Sequence, residues 1–153
     1  MCGVDLCAVP SLGEMTVLEF IAETGTDMSK WKNHKHFAAW NNLAPNTKKT
    51  GGKIVSTQMM KKNNKAGQSL KMAASSLSCS KSPLGDYYRR MKARLGGKGA
   101  VVASAHKLCR IIYTMLKNKI EYNPELIFVA QVKYKTQRIK QLERQLEKLK
   151  KAT

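Results

Sequence analysis

The middle of this chain has almost no acid. Between Asp27 and Glu121 the one carboxylate is Asp86, and the same interval holds twenty lysines and arginines. A surface that needed charge only for solubility would mix both signs, so the imbalance points to a polyanionic partner. Long apolar runs are also missing. No stretch reaches the roughly 18 apolar residues that a membrane-crossing helix needs. The basic residues are not set against a large apolar helix face either, so a membrane surface is not the expected partner. The opening MCGVDLCAVP has no basic segment followed by an apolar one, and no secretory signal is read there. Cysteine is sparse: Cys2, Cys7, Cys79 and Cys109 are scattered, with no Cys-x-x-Cys pair and no histidine at zinc-finger spacing. Reduced, mostly buried thiols in a cytoplasmic, nucleoid-associated protein are the expectation. His34 and His36, two apart, fall on different sides of a helix and make no metal pair. His106 sits among basic residues on a helix and reads as a surface or partly buried histidine. With no cluster of acids in sight, no metal site and no cofactor are expected within this chain.

What is present is a net charge of +18 on 153 residues, with an apolar fraction of 42%. That is enough for one domain with a modest core and an extra arm. The densest signal is Pro45 to Lys71. It carries Lys48, Lys49, Lys53, Lys61, Lys62, Lys65 and Lys71 and no acid. Thr50, Ser56, Thr57, Asn63, Asn64, Gln68 and Ser69 are interspersed, and Gly51, Gly52 and Gly67 let a backbone approach a ligand closely. Lysines, hydroxyls, amides and free N–H groups are what phosphate oxygens accept from. The segment reads as a polynucleotide-contacting loop that enters a helix near Gln68.

The rest reads as helices. Residues 14 to 23 place Met15, Leu18, Ile21 and Ala22 at helical spacing, closed by Gly25. The turn before it, through Pro10 and Gly13, is either the hairpin of a helix-hairpin-helix element or a plain helix-start turn. A short helix follows over 33 to 40, with Phe37, Ala38 and Trp40 inward and Trp31 and Trp40 as core anchors. The next, 68 to 79, has Leu70, Ala73, Ala74 and Leu77 on one face. Ser82 and Pro83 form a cap-then-proline start for a helix with Leu84, Tyr87, Tyr88, Met91 and Leu95 on one side, ended by Gly96 and Gly97. The strongest stripe is Val101, Ala105, Leu108, Cys109, Ile112, Met115 and Leu116 on a helix over 98 to 119, flanked by Lys107, Arg110 and Tyr113. A last helix, about 124 to 151, carries Val132, Ile139 and Leu146 on one heptad position and Lys135, Leu142 and Leu149 on the other. It pairs with a second chain or lies across its own domain. No strand is expected beyond a short one near Lys53 to Thr57. The expected fold is therefore mainly α-helical: a compact helical domain over 1–122 with a basic Gly/Lys loop, then a charged, partly heptad helix over 123–153.

Several motifs then occur in a fixed order: Val9-Pro10-x-Leu12-Gly13, Glu23-x-Gly25-x-Asp27-Met28-Ser29, and His36-Phe37-Ala38-x-Trp40-x-x-Leu43-x-Pro45-Asn46. Gly51-Gly52-Lys53, Lys65-Ala66-Gly67-Gln68-x-Leu70, Leu84-Gly85-Asp86-Tyr87-Tyr88-Arg89-Arg90-Met91-Lys92, Ala105-x-Lys107-Leu108 and Ile112-Tyr113-x-Met115-Leu116 follow. The set resembles the C-terminal transposase domain of the DEDD transposases of the insertion sequence one-ten family, over about residues 3 to 122.

The resemblance implies a division of labour. An N-terminal RuvC-like half holds divalent metal through four acids, and a serine beside the Gly-Gly-Lys turn attacks a DNA phosphodiester under a guide RNA. Here Thr50 stands at the serine's place, Ser11 at a glycine's, Asn42 where a small residue is usual and Lys71 where arginine is usual. The acidic half would precede Met1, so the resemblance implies catalysis only together with that half. The expected partners are DNA, a guide RNA, and either a second copy or the acidic half, met through the C-terminal helix. The expected contacts are Lys48, Lys49, Gly51, Gly52, Lys53, Lys61, Lys62, Lys65, Lys71, Arg89 and Arg90. The alternative is a transposase-derived protein that binds DNA or RNA without cutting it.

Overall fold

Capping side chains and glycines mark out the helices. The structure, a computed structural model, describes residues 3–56, 59, 64–124, 136, 139–140 and 142–147. Its order is α1 (Glu14–Thr24), α2 (His34–Trp40), β1 (Lys48–Thr50), β2 (Lys53–Ser56), α3 (Lys65–Ser76), a 3-10 turn (Leu77–Cys79) and α4 (Pro83–Asn118). The chain divides into two units, 1–122 and 123–153. The fold is mainly helical, as the sequence pattern predicts. No described helix is long and apolar enough to cross a membrane.

Asn33 caps α2 by accepting from the N–H groups of Lys35 (2.9 Å) and His36 (3.1 Å). Asn64 caps α3 through Gly67 N–H, and Ser82 caps α4 through Gly85 N–H, with Pro83 in the first turn. Each such cap is worth about 1 kcal/mol. The cap at Asn64 starts α3 at Lys65, one turn earlier than the sequence pattern predicts. Lys65 and Gly67 are therefore helical, and Gly67 does not expose backbone to a ligand. A Cβ there would lie 1.9 Å from the Asn41 carbonyl oxygen, so this glycine lets α3 close against the end of α2.

The core of the first unit is the α4 stripe. Ala105, Leu108, Cys109, Ile112, Met115 and Leu116 are buried and Val101 is half-buried. Tyr113, expected to flank the stripe, is also buried. α4 packs against α2 and α3, and α3 packs against α1. Phe37 stands edge-on to Phe20 and Trp31, and Trp31 edge-on to Trp40, so the two tryptophans line the core as half-buried anchors. Burying a side chain such as Phe37 or Leu108 contributes about 2 kcal/mol.

Two faces differ from expectation. α1 turns Val17, Phe20, Ile21 and Thr24 inward and leaves Met15 and Leu18 exposed. Buried Thr24 is satisfied because its Oγ1 donates to the Phe20 carbonyl at 2.8 Å. In the first part of α4, Leu84 and Tyr88 are buried but Leu95 is exposed, beside the kink at Gly96 (φ 75°, ψ 175°). Among the described thiols, Cys7 and Cys79 are exposed and Cys109 is buried, so these are not mostly buried as expected; Cys2 lies outside the described residues. Burial pushes the Cys109 thiol up to about 12.

In the second unit, Thr136 and residues 139–140 and 142–147 are helical, with Ile139, Leu142 and Leu146 exposed. The remaining heptad positions, Val132, Lys135 and Leu149, lie outside the described residues.

Candidate nucleic-acid interface

The Gly51-Gly52 pair makes a hairpin. Both glycines have positive φ (56° and 77°), the combination of a type I′ turn, whose twist suits a two-residue β-hairpin. A Cβ at either glycine would meet nothing within 4 Å, so the requirement is conformational and not one of space. β1 and β2 pair antiparallel, with Thr50 opposite Lys53, Lys49 opposite Ile54 and Lys48 opposite Ser56. The shift between Lys48 and Lys49 leaves Val55 as the extra residue of a bulge. Only part of this was expected: β2 falls on the short strand read near Lys53, and β1 was read as loop.

The register sorts the cations. Thr50 and Lys53 are cross-strand neighbours on one face, and Lys48, two residues before Thr50, shares it. Lys49 and Ile54 occupy the other face. Lys48, Lys49, Thr50, Gly51, Gly52 and Lys53 are all exposed, and among the described elements the hairpin packs against none. Ile54 and Val55 are 60% and 68% exposed, so the arm has no apolar support from the body. A two-stranded hairpin of this kind is marginally stable by itself.

The other expected contacts are not gathered with the hairpin's residues in one element. Lys65 is exposed on the first turn of α3, on a groove it shares with Glu19, Glu23 and Gln68. Lys71 is half-buried further along α3. Arg89 is already engaged: its guanidinium donates to the Ser80 carbonyl at 2.7 Å and pairs with Asp86. Arg90 stacks its guanidinium 5.7 Å above the Tyr87 ring. Lys61 and Lys62 lie outside the described residues. Among the described residues no three or more histidines, cysteines or acids come together in a way that would hold a metal ion. The described residues therefore do not suit the divalent-metal centre that the resemblance assigns to the acidic half.

Sequence reading missed a second cationic cluster. α2 brings His34 beside the Tyr113 ring of α4 (6.5 Å between centroids), and His34, His106 and Arg110 act electrostatically on one another. Burial, then Arg110, then Lys35 hold the His34 imidazole below its usual pKa. Burial, then Arg110, then His34 do the same for His106. Burial and Arg110 also lower Lys107. The only sequence signal was the i, i+4 spacing of His106 and Arg110; the arrival of His34 is a tertiary event.

A helical body carrying a basic hairpin with a hydroxyl beside its turn defines the class of arrangement. Residues 5–89 match the family described as Transposase IS116/IS110/IS902 family. The match covers more than half of the chain, and the chain belongs to that family. It includes the hairpin, α1 to α3 and the first turns of α4. No curated protein and no solved structure matches the chain.

Proposed function

We propose that this chain supplies a phosphate-contacting part of an insertion-sequence transposase and acts on DNA during transposition. The observation that carries the reading is the hairpin. It is exposed from Lys48 to Val55, lies inside the family match, and aligns Lys48, Thr50 and Lys53 on one face. A hydroxyl between two ammonium groups suits a phosphodiester, because the lysines attract the anion and offset the charge that builds up on phosphorus. In the chemical step the Thr50 Oγ1–P bond forms as the P–O bond to the leaving sugar oxygen breaks. The threonine proton is lost to a base and the sugar oxygen gains one. The acids required for that step belong to an acidic nuclease half, supplied elsewhere in the protein or by another chain. DNA is the primary partner, and a guide RNA would use the same lysines. The hairpin orders on the backbone it contacts, which suits an arm with no support of its own.

The test is affinity for duplex DNA as a function of salt. Replacing Lys48, Lys49 or Lys53 with Gln is expected to weaken binding nearly uniformly across sequences. Each replacement should lower the slope of log affinity against log salt by about one. An unchanged slope across a charge-reversal series in the hairpin would overturn the reading. A second reading is a DNA-binding relative that does not cut. It is favoured by Thr50, whose extra methyl crowds in-line attack, and by Asp86, which is committed to Arg89. A covalent protein–DNA adduct that forms with added acidic half and is lost in Thr50→Ala separates the two readings.

A further inference from the structure

His34 and His106 are far apart in sequence, but the packing of α2 on α4 brings both to one side of α4: His34 lies beside the Tyr113 ring (6.5 Å between centroids), and His106 stands two turns before Tyr113 on the same face. α2 contributes His34 and Lys35; α4 contributes His106, Lys107 and Arg110. Among the described residues, the charges that act on the two imidazoles are all cationic: Arg110 and Lys35 on His34, Arg110 and His34 on His106. No carboxylate answers them. His106, Arg110, Tyr113 and Lys117 follow spacings of four, three and four, so they line one face of α4. That face extends over about 16 Å of helix.

The placement is rigid. The Tyr113 ring lies 5.5 Å from that of Phe37. Its hydroxyl donates to the Trp31 carbonyl and accepts from Lys117 Nζ, both at 3.1 Å. His34, His106 and Lys107 are half-buried on these core helices, whereas Arg110 and Lys35 reach solvent. The hairpin's lysines are mounted on an unsupported arm; these groups are mounted on helices packed into the core. Arg110 and Lys35, without counter-charge, disfavour protonation of the two imidazoles, and an anion seated among them relieves that repulsion. A seated phosphate also favours the protonated imidazoles, so binding takes up protons.

We propose that His34, His106 and Arg110 form a second, proton-linked contact for the phosphate backbone of duplex DNA, distinct from the hairpin. The proposal rests on the reading of this chain as a DNA-contacting transposase part. An extended backbone fits better than a single free phosphate, because the cations run along the helix instead of converging on one point.

The experiment compares affinity for a short duplex at about pH 8 and about pH 5, at constant ionic strength. Wild-type protein is expected to bind tighter at the acid pH, by about tenfold for each unit by which binding raises a histidine's pKa. The double variant His34→Gln, His106→Gln is expected to lose that gain, and Arg110→Gln to lower the salt slope by about one. In case the double variant folds poorly, ring-proton NMR of wild type provides a second readout. The titration midpoints of His34 and His106 are expected to rise when duplex is added, with exposed His36 as comparison. An acid gain that survives in the double variant, or midpoints that stay where they are, overturns the proposal. So does acid-dependent binding to phosphatidylserine vesicles without binding to duplex. The hairpin reading is judged separately: if Lys48→Gln and Lys53→Gln bind like wild type while the acid gain remains, the hairpin reading alone falls. If wild type binds no duplex at either pH, both fall.

Discussion

Ser11 is a serine in a glycine's conformation. Its φ is 77°, a region costly for any residue with a Cβ, and its Oγ is buried without a hydrogen-bond partner. The resemblance to the transposase family puts a glycine at this position, and the backbone retains the glycine shape. Ser11→Gly is expected to stabilise the protein by about 1 kcal/mol, seen as a higher denaturant midpoint at unchanged m-value. A lower midpoint would mean that the hydroxyl has a role in holding the turn before α1. Asn42, the other departure in this part of the chain, also has positive φ (52°), but asparagine tolerates that region better than serine does.

At the scale of elements, the hairpin and the helices obey different rules. The hairpin contacts no other described element, so its folding is uncoupled from that of the core. Gly51→Ala with Gly52→Ala forces two residues with a Cβ into positive φ, at a cost on the order of 1 kcal/mol each. The variant is expected to weaken DNA binding while its thermal midpoint stays within about 1 °C of wild type, since the strain falls on the arm alone. A midpoint that drops by several degrees would show that the arm is braced by the body. What was legible in the sequence follows the same division. The Ser82-Pro83 start and the α4 stripe were readable because local chemistry and a strong period determine them. β1 was not, because Lys48-Lys49-Thr50 has no apolar alternation, and only the chemistry of the glycine turn makes it a strand. The inward face of α1 was misread because Met15 and Leu18 are more apolar than Thr24. Which residues are buried was decided by where α3 lies, and a buried threonine that bonds its own helix costs little. In the candidate site, the lysines around Gly51 were legible from composition. The meeting of His34 with His106 was not, because no local pattern records which helices touch.

For the molecule as a whole, the histidine cluster links stability to pH. Both imidazoles have pKa values below the unfolded value of about 6.5, so the unfolded chain binds more protons once the pH falls through that value. Their contribution to stability is therefore complete above about pH 6.5 and is lost as the pH falls below it. Without DNA, the thermal midpoint is expected to decline between about pH 7 and about pH 5, and the decline should flatten in His34→Gln, His106→Gln. The same slope in wild type and in the double variant would locate the linkage in other groups. On the proposed second contact, bound DNA would reverse the sign at these two residues, so the complex and the free protein are expected to respond to acid in opposite directions.

The unsupported hairpin also bears on how the chain can drift. A core residue such as Leu108 or Phe37 is under constraint in every generation, because changing it unfolds the protein whatever the protein is for. Lys48, Lys49, Thr50 and Lys53 lie on an arm that contacts no other described element, so the body is expected to fold as well with other side chains there. A change of hydroxyl residue beside the turn is therefore expected to cost the fold little, and selection on the partner is what would act on it. Among copies of this gene, the arm should be the first part to record whether the activity is still in use.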